Sequence, residues 1–424
     1  LLAIDAATQT ITLAPDETRI VGWPVTVATA GTATAIVRAE PTGEGSGDAV
    51  ALPLAARPLA VPVVATQSGD FEGATALTIT VPAGTLPEHS AVTLELSRSP
   101  AGSLLNGLEF LTGFPYGCVE QTMSRALPNV AVDRAFNALG APQPEGLELG
   151  RLVNESAQRL YGFQHDDGGW GWWFDDDSTP YQTAWVVFGL ATMVEAGHEI
   201  DPAVIARGAT YLNDSLDKAD NRTRAMMLYS LAVAGQPNGA AALELAALPD
   251  DNLDPFSLAA LALALDAAGE TAAAQAVMDR LAAQAIVADG RAHWGVGGND
   301  GQYRSKTMAS ATRSTALALR AFVRLRPGDP LEAPAVRWLM AQRRGLGWGT
   351  TNETAYTILA VADHIEASGL GETALSAGVA LDGAPPINTT LAAGDLSATL
   401  TLPAEALTPG EHSLTVSGDS RVFY

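Results

Sequence analysis

Three times in the middle of the chain a Gly-Trp turn leads into a small-residue helix start. Gln164-His165-Asp166-Asp167-Gly168-Gly169-Trp170-Gly171 is followed by Thr183-Ala184. His293-Trp294-Gly295 is followed by Ser314-Thr315-Ala316, and Gln342 to Gly349, with Gly347-Trp348-Gly349 at its end, by Thr354-Ala355. Repetition of one supersecondary unit is the strongest constraint a sequence can place on architecture. Here the unit is a helical hairpin, and the arrangement expected is a ring of hairpins, an α/α toroid. About twelve helices are expected between residues 104 and 370, among them Cys118–Leu139, Leu147–Phe163, Gln182–Ala196, Pro202–Leu216, Arg222–Ala234 and Thr354–Ala367. Several are apolar around most of their circumference, as helices packed on two sides must be. The tryptophans of the turns are expected between hairpins, and Trp172, Trp173 and Phe174 are also assigned to core packing.

The flanks follow a different period. Leu77, Ile79 and Val81 alternate with threonines, and Val92, Leu94 and Leu96 repeat the pattern. After the helices, Leu396, Ala398, Leu400 and Leu402 alternate, as do Leu414 and Val416. This closing segment is short for an independent sandwich. It is expected to pair with strands from residues 60–100, which makes the helical region an insertion in one β domain. The Pro-rich stretch Leu52 to Val64 marks a boundary between two small β units.

Composition excludes several classes of function. The 424 residues carry 24 Lys and Arg against 47 Asp and Glu, a net charge of −23. Such a field repels nucleic acid and anionic lipid, so no nucleic-acid partner is expected. No apolar run reaches spanning length. One cysteine precludes an intramolecular disulfide, and with scattered histidines it offers no metal-ligand spacing, so neither metal nor cofactor is expected. The chain opens in mid-pattern at Leu1 and reads as a piece of a longer protein.

That cysteine lies in Phe114-Pro115-Tyr116-Gly117-Cys118-Val119-Glu120-Gln121-Thr122. Val119, Met123, Leu127 and Val130 recur at helical spacing, so a helix is expected to begin near Cys118. Cys118 and Gln121, three apart, share a face. A thiolate can attack a γ-carboxamide and expel ammonia, leaving a cysteinyl–glutamyl thioester. A helix start would stabilise both thiolate and oxyanion. Gly117 would permit close backbone approach and unusual dihedrals. Spacing alone leaves a second reading, a small buried apolar cysteine, in place.

The full string resembles the G-C-x-E-Q thioester motif of the α2-macroglobulin and complement family. Asp166 to Val187 resembles that family's Gly-aromatic turn and following helix, and the absence of disulfides is similar to its bacterial branch. The resemblance implies a multidomain α+β chain, with an α/α toroid thioester domain inserted into a CUB-like β-sandwich and part of a macroglobulin-like β-sandwich before it. Residues 1–58 would be that partial sandwich, 59–103 and 371–424 the two halves of the CUB-like domain, and 104–370 the toroid. Carried over by position, Cys118 supplies the thioester sulfur and Gln121 the acyl carbon. Glu120 is a possible assisting residue, by orienting the ring or shuttling a proton; a favourable charge at a helix N-terminus is an equal reading. Tyr116 is a candidate lid. Members that transfer to hydroxyls use a histidine that should fall in Lys218 to Leu228. None is there, and Asn221 is the nearest polar residue, so attack by lysine amines is expected over hydroxyls.

The resemblance further implies a stoichiometric endopeptidase inhibitor rather than an enzyme: a covalent trap for proteases, working with the rest of the macroglobulin chain outside the cytoplasm (periplasmic, cell-envelope or secreted). Shielding of the thioester by a neighbouring macroglobulin domain is part of that expectation. Two rivals stand beside it. One is a toroid enzyme, either terpene cyclase-like, from Q-x-x-x-G-x-W at Gln164 to Trp170 with Asp175-Asp176-Asp177 as its acid, or a glycosidase using Asp166 or Asp167. The other is an adhesive or scaffold domain in which Cys118 never reacts.

Overall fold

The structure, a computed structural model, describes residues 2–4, 7–61, 63–100, 104, 107, 111, 117–139, 149–249, 253–297, 307–368, 374–392, 395, 397–402 and 407–424. The chain divides into two compact units, residues 1–65 and 66–424. In the first, β1 (Leu2–Ile4) pairs with β2 (Val25–Val27), and β3 (Gly31–Ala39) forms an antiparallel hairpin with β4 (Asp48–Ala56). Pro53, in the Pro-rich stretch, lies inside β4 opposite Thr34.

The second unit holds eleven α-helices among its described residues and, between the eighth and ninth of them, a short hairpin of β7 (Ile286–Ala288) and β8 (Arg291–His293). The helices are α1 (Val119–Leu139), α2 (Leu149–Gly162), α3 (Pro180–Glu195), α4 (Pro202–Ser215), α5 (Asn221–Val233), α6 (Gly239–Ala246), α7 (Pro255–Ala267), α8 (Thr271–Ala283), α9 (Ala311–Leu325), α10 (Glu332–Ala341) and α11 (Thr351–Ser368). The odd-numbered helices pack in a closed ring in which α11 returns to α1. The even-numbered helices lie outside it. Burial separates the layers: α3 buries every residue from Tyr181 to Met193, whereas α4 buries only Val204, Gly208, Ala209 and Leu212. Fully burying one large aliphatic or aromatic side chain contributes roughly 1.5–3 kcal/mol, and the ring is filled by residues such as Phe188, Leu261, Phe322 and Tyr356. Starts are set locally. Thr179, Asp201, Asp220, Asn238, Asp254 and Ser310 each accept a backbone N–H of the helix they cap. Pro180, Pro202 and Pro255 occupy first positions, where the missing N–H costs nothing.

The repeat has a structural reason. Trp170, Trp294 and Trp348 are buried, and each indole Nε1 donates to a carbonyl near the end of the preceding outer helix: Leu160 at 2.8 Å, Leu281 at 2.7 Å and Leu339 at 2.7 Å. Each tryptophan's backbone N–H donates to the threonine of the Thr-Ala pair: Thr183 at 2.9 Å, Thr315 at 3.0 Å and Thr354 at 2.9 Å. One residue thus ties an outer helix to the next inner helix. Trp173 and Phe174 depart from the core assignment, being 46% and 69% exposed, and Trp172 is half-buried. The chain turns outward there because Asp176 accepts the N–H groups of Trp172 and Trp173.

The helices are inserted between strands of one β structure. β5 (Asp70–Val81) pairs with β12 (Gly410–Phe423) in a four-stranded antiparallel sheet of order β10 (Ile387–Leu391), β9 (Leu375–Leu381), β12, β5. β6 (Val92–Leu96) pairs with β11 (Ala398–Leu402). Leu94, Leu96, Val379, Leu402, Leu414 and Val416 form their common core. The alternation of two in the flanks places these side chains inside. Arg343 reaches Glu95 at 3.3 Å, and Ser68 Oγ donates to the Met340 carbonyl at 3.0 Å, which fixes α10 against the β structure.

Candidate functional site

Cys118 is the residue before α1. Its carbonyl accepts Thr122 N–H at 2.9 Å, the first bond of the helix, so Cys118 is the N-cap and Gln121 the third helical position. Gln121 Oε1 accepts the Cys118 backbone N–H at 3.3 Å. This is the side-chain half of a capping box. Its consequence is chemical as well as structural: the carboxamide folds back over the turn that carries the thiol, with its oxygen on a backbone donor. The next N–H, from Val119, donates to the Trp172 carbonyl at 2.9 Å. The first Gly-Trp turn therefore closes the start of α1. That turn is itself tied by His165, whose ring nitrogens lie 2.8 Å from Ser178 Oγ and 3.0 Å from the Trp173 carbonyl.

Cys118 is 6% exposed. Burial pushes its thiol up, the nearby Glu120 charge adds to that, and backbone N–H groups of Gln121, Glu120 and Cys118 oppose it. The thiolate stabilisation expected from a helix start is present, but desolvation outweighs it. Glu120 is also buried. Its carboxylate accepts Ser124 Oγ at 2.5 Å and Thr351 Oγ1 at 2.9 and 3.1 Å. Burial pushes its carboxyl up, against the pull of these hydroxyls and of Asn352. Glu120 stands in the first turn of α1. It is an interior carboxyl at the seam where α11 meets α1.

Gly117 precedes the pair. Its carbonyl accepts two bonds from Arg159 of α2, from Nη2 at 2.8 Å and Nε at 3.2 Å. A Cβ on Gly117 would stand 2.6 Å from Arg159 Nη2. A side chain at position 117 would therefore displace the guanidinium.

Cys118, Glu120 and Gln121 come together on one turn. Tyr116 lies outside the described residues. Asn221 opens α5, half-buried, but α5 packs against α3 and α7, and among the described residues no hydrogen bond joins Asn221 to Cys118 or Gln121. Sequence reasoning missed Arg159, Thr351 and the Trp172 carbonyl, which come from distant segments. The Thr351 hydroxyl had a faint signal, since Thr350-Thr351 directly follows a Gly-Trp turn.

Among known families, the model described as the A-macroglobulin TED domain matches residues 92–222 and 238–364, more than half of the chain. The chain belongs to the A-macroglobulin TED-domain family. Curated relatives include an alpha-2-macroglobulin of Thermotoga maritima, 27% identical over 60% of this chain and 14% of that protein. One from Escherichia coli is 32% identical over 33% of this chain and 9% of that protein. The chain therefore matches only a small part of each relative's length. Among solved structures, native Escherichia coli alpha-2-macroglobulin from domain MG7 to the C-terminus superposes with a TM-score of 0.68 at 20% identity, covering 100% of this chain and 66% of that one. Salmonella alpha-2-macroglobulin reacted with methylamine gives 0.63 at 20% identity, over 100% of this chain and 28% of that one. These likenesses fix the fold: a TED-family toroid inserted in a β domain.

Proposed function

We propose that Cys118 and Gln121 form an internal thioester, and that this TED-family chain is the covalent arm of a stoichiometric protease trap. The observation that carries the reading is the Cys118 N–H to Gln121 Oε1 hydrogen bond beside a buried thiol. Formation begins with Sγ attacking Cδ of Gln121. A C–S bond forms, the C–N bond breaks, and the thiol proton leaves with the amide nitrogen as ammonia. The oxyanion develops on Oε1, where the Cys118 N–H already points. Cys118 is buried and Gln121 half-buried in this chain, so a neighbouring domain completes the shield that keeps water from the acyl carbon until it moves. A neutral lysine amine then attacks Cδ, a C–N bond forms, the C–S bond breaks and the proton passes to Sγ. Glu120, next to Gln121 in sequence and felt electrostatically at the thiol, is assigned assistance in these proton transfers. The stretch Lys218 to Leu228, where the resemblance puts the histidine needed for hydroxyl transfer, holds none, with Asn221 its nearest polar candidate, so methylamine should react and glycerol at comparable concentration should not.

In this reading residues 1–58 are part of a macroglobulin-like sandwich, 59–103 and 371–424 the halves of a CUB-like domain, and 104–370 the toroid. The partners are target proteases and the rest of the macroglobulin chain, in an extracytoplasmic setting. Among the described residues no helix is long and apolar enough to cross a membrane. The test is exposure of the full-length protein to a protease that cleaves it. A protease conjugate that survives denaturation and reduction, and that is lost in C118A and Q121A, is the expected result. Release of all protease on denaturation would overturn the trap. The enzymatic rival has less support: Asp167 accepts Gly169 N–H and Ser178 Oγ, and Asp176 the Trp172 and Trp173 N–H groups, so both serve their own turn.

A further inference from the structure

We infer that Arg159, on the outer helix α2, is a positioning residue for the acyl chemistry of Gln121, acting through a single peptide group. The inference rests on the thioester reading above and goes beyond it. The Gly117–Cys118 peptide is held at both ends. Its carbonyl oxygen accepts Arg159 Nη2 at 2.8 Å and Nε at 3.2 Å. Its N–H donates to Gln121 Oε1 at 3.3 Å. The guanidinium lies over the Phe163 ring, 5.4 Å from its centroid, and that ring is buried, so the fork is held in orientation.

Two physical effects follow. A two-bond fork on one carbonyl fixes the plane of the peptide, and so the direction in which its N–H points. A cation hydrogen-bonded to a peptide carbonyl also polarises that peptide and strengthens its N–H as a donor. Both act on the atom where negative charge develops, in thioester formation and in aminolysis alike. Arg159 never touches the reacting atoms. Its influence ends at the Cys118 N–H.

Gly117 allows the contact. A Cβ there would lie 2.6 Å from Nη2 and 2.9 Å from Cζ of Arg159. Gly117→Ala therefore displaces the guanidinium from the opposite side. Arg159 is a largely exposed residue, so its loss removes little packing.

The experiment uses the full-length protein and the variants R159A, R159Q, R159K, G117A and R159A/G117A, with methylamine as the probe. Intact mass first establishes whether wild type is lighter by one ammonia. The rate of methylamine consumption, followed by thiol release, and the carbonyl stretch of the 13C-labelled Gln121 acyl group are then measured. Removing a direct oxyanion donor slows reactions by about 10²–10³; a group acting through that donor, and replaceable by water, should slow aminolysis by about three- to tenfold in R159A, R159Q and G117A. R159K, which restores a charged donor, should recover part of the rate. The double variant should be no slower than either single one, because both break the same contact. The carbonyl stretch should rise in frequency in the slow variants, a change that altered packing alone would not produce. If R159A does not fold, R159K and G117A carry the comparison. A light wild type whose folded variants match it in rate and frequency would overturn the inference alone. A wild type of full mass would overturn the thioester reading and this inference with it.

Discussion

Thr351 Oγ1 lies 2.9 and 3.1 Å from the two carboxylate oxygens of Glu120, joining the last inner helix of the ring to the first. The bond sits one residue from Gln121 and spans 231 positions of sequence. It closes the toroid beside the turn that carries Cys118 and Gln121. Thr351→Val removes a donor from a buried carboxylate, which costs about 1–3 kcal/mol. A lower melting temperature with unchanged secondary structure is expected. An unchanged melting temperature would show that the seam does not depend on this bond.

Glu120 also makes stability depend on pH. Its folded carboxyl is pushed above the ordinary 4.5 by burial, so the folded state holds its proton longer than the unfolded state. Stability contributed by this group therefore falls as pH rises from 4.5 through the folded value. Glu120→Gln has no charge to bury and can still accept from Ser124 and Thr351. The variant should gain stability relative to wild type as pH rises through that window. Parallel denaturation curves at pH 4.5 and pH 7 check this, and a constant difference would refute it.

The β structure carries a second pH-dependent pair. His412 is buried at the start of β12, with Nε2 2.6 Å from the Thr408 carbonyl and Nδ1 2.7 Å from Asp382. Two acceptors favour the imidazolium. The Thr408 carbonyl, then Asp382, push His412 above the ordinary 6.5. His412, then the Ser413 N–H, push Asp382 below 3.8. The histidine's contribution is complete below pH 6.5 and is lost as pH rises through its folded value. The aspartate's is complete above 3.8 and is lost as pH falls through its folded value. His412→Ala should abolish the loss on the alkaline side, as followed by thermal melts across pH 5 to 9.

The buried thiol has its own signature. In a Gln121→Ala variant, which cannot form a thioester, Cys118 should alkylate slowly at pH 7. Its rate should rise only above the ordinary thiol value of 9.0, because burial and Glu120 both disfavour the thiolate. Iodoacetamide labelling against pH measures this. Rapid labelling at neutral pH would contradict the electrostatics described.

The tie between hairpins is testable at three equivalent positions. Thr183→Val, Thr315→Val or Thr354→Val each strands the buried N–H of Trp170, Trp294 or Trp348, at a cost of about 1–3 kcal/mol. Similar losses in melting temperature at all three sites are expected. A loss at one site only would mean that the units are not equivalent.

Much of this architecture was legible because it is periodic. The Gly-Trp turns and Thr-Ala pairs mark the hairpins, and α1 to α5 lie within two residues of their expected bounds. α3 and α11 begin two and three residues before their expected starts. Pro180 after Thr179 is a start signal that the apolar pattern alone does not show, and α11 opens with polar Thr351 and Asn352, buried by the neighbouring helix α1. The pairing of β5 with β12 was legible because neither flank can bury its apolar face alone. At the site, Cys118 and Gln121 shared a face by spacing. The contacts of Glu120 with Thr351 and of Gly117 with Arg159 were not legible. They join residues far apart in sequence, and no local period encodes them. Trp173 and Phe174 misled because hydrophobicity does not report that Asp176 turns the chain outward.

The most direct test of the account is the intact mass of freshly folded, full-length protein before and after methylamine. A chain lighter than its sequence by one ammonia, with no titratable thiol, that takes up one methylamine and then exposes one thiol at Cys118 is the expected result. A chain of full sequence mass, with Cys118 free from the start and no uptake of methylamine, would contradict it.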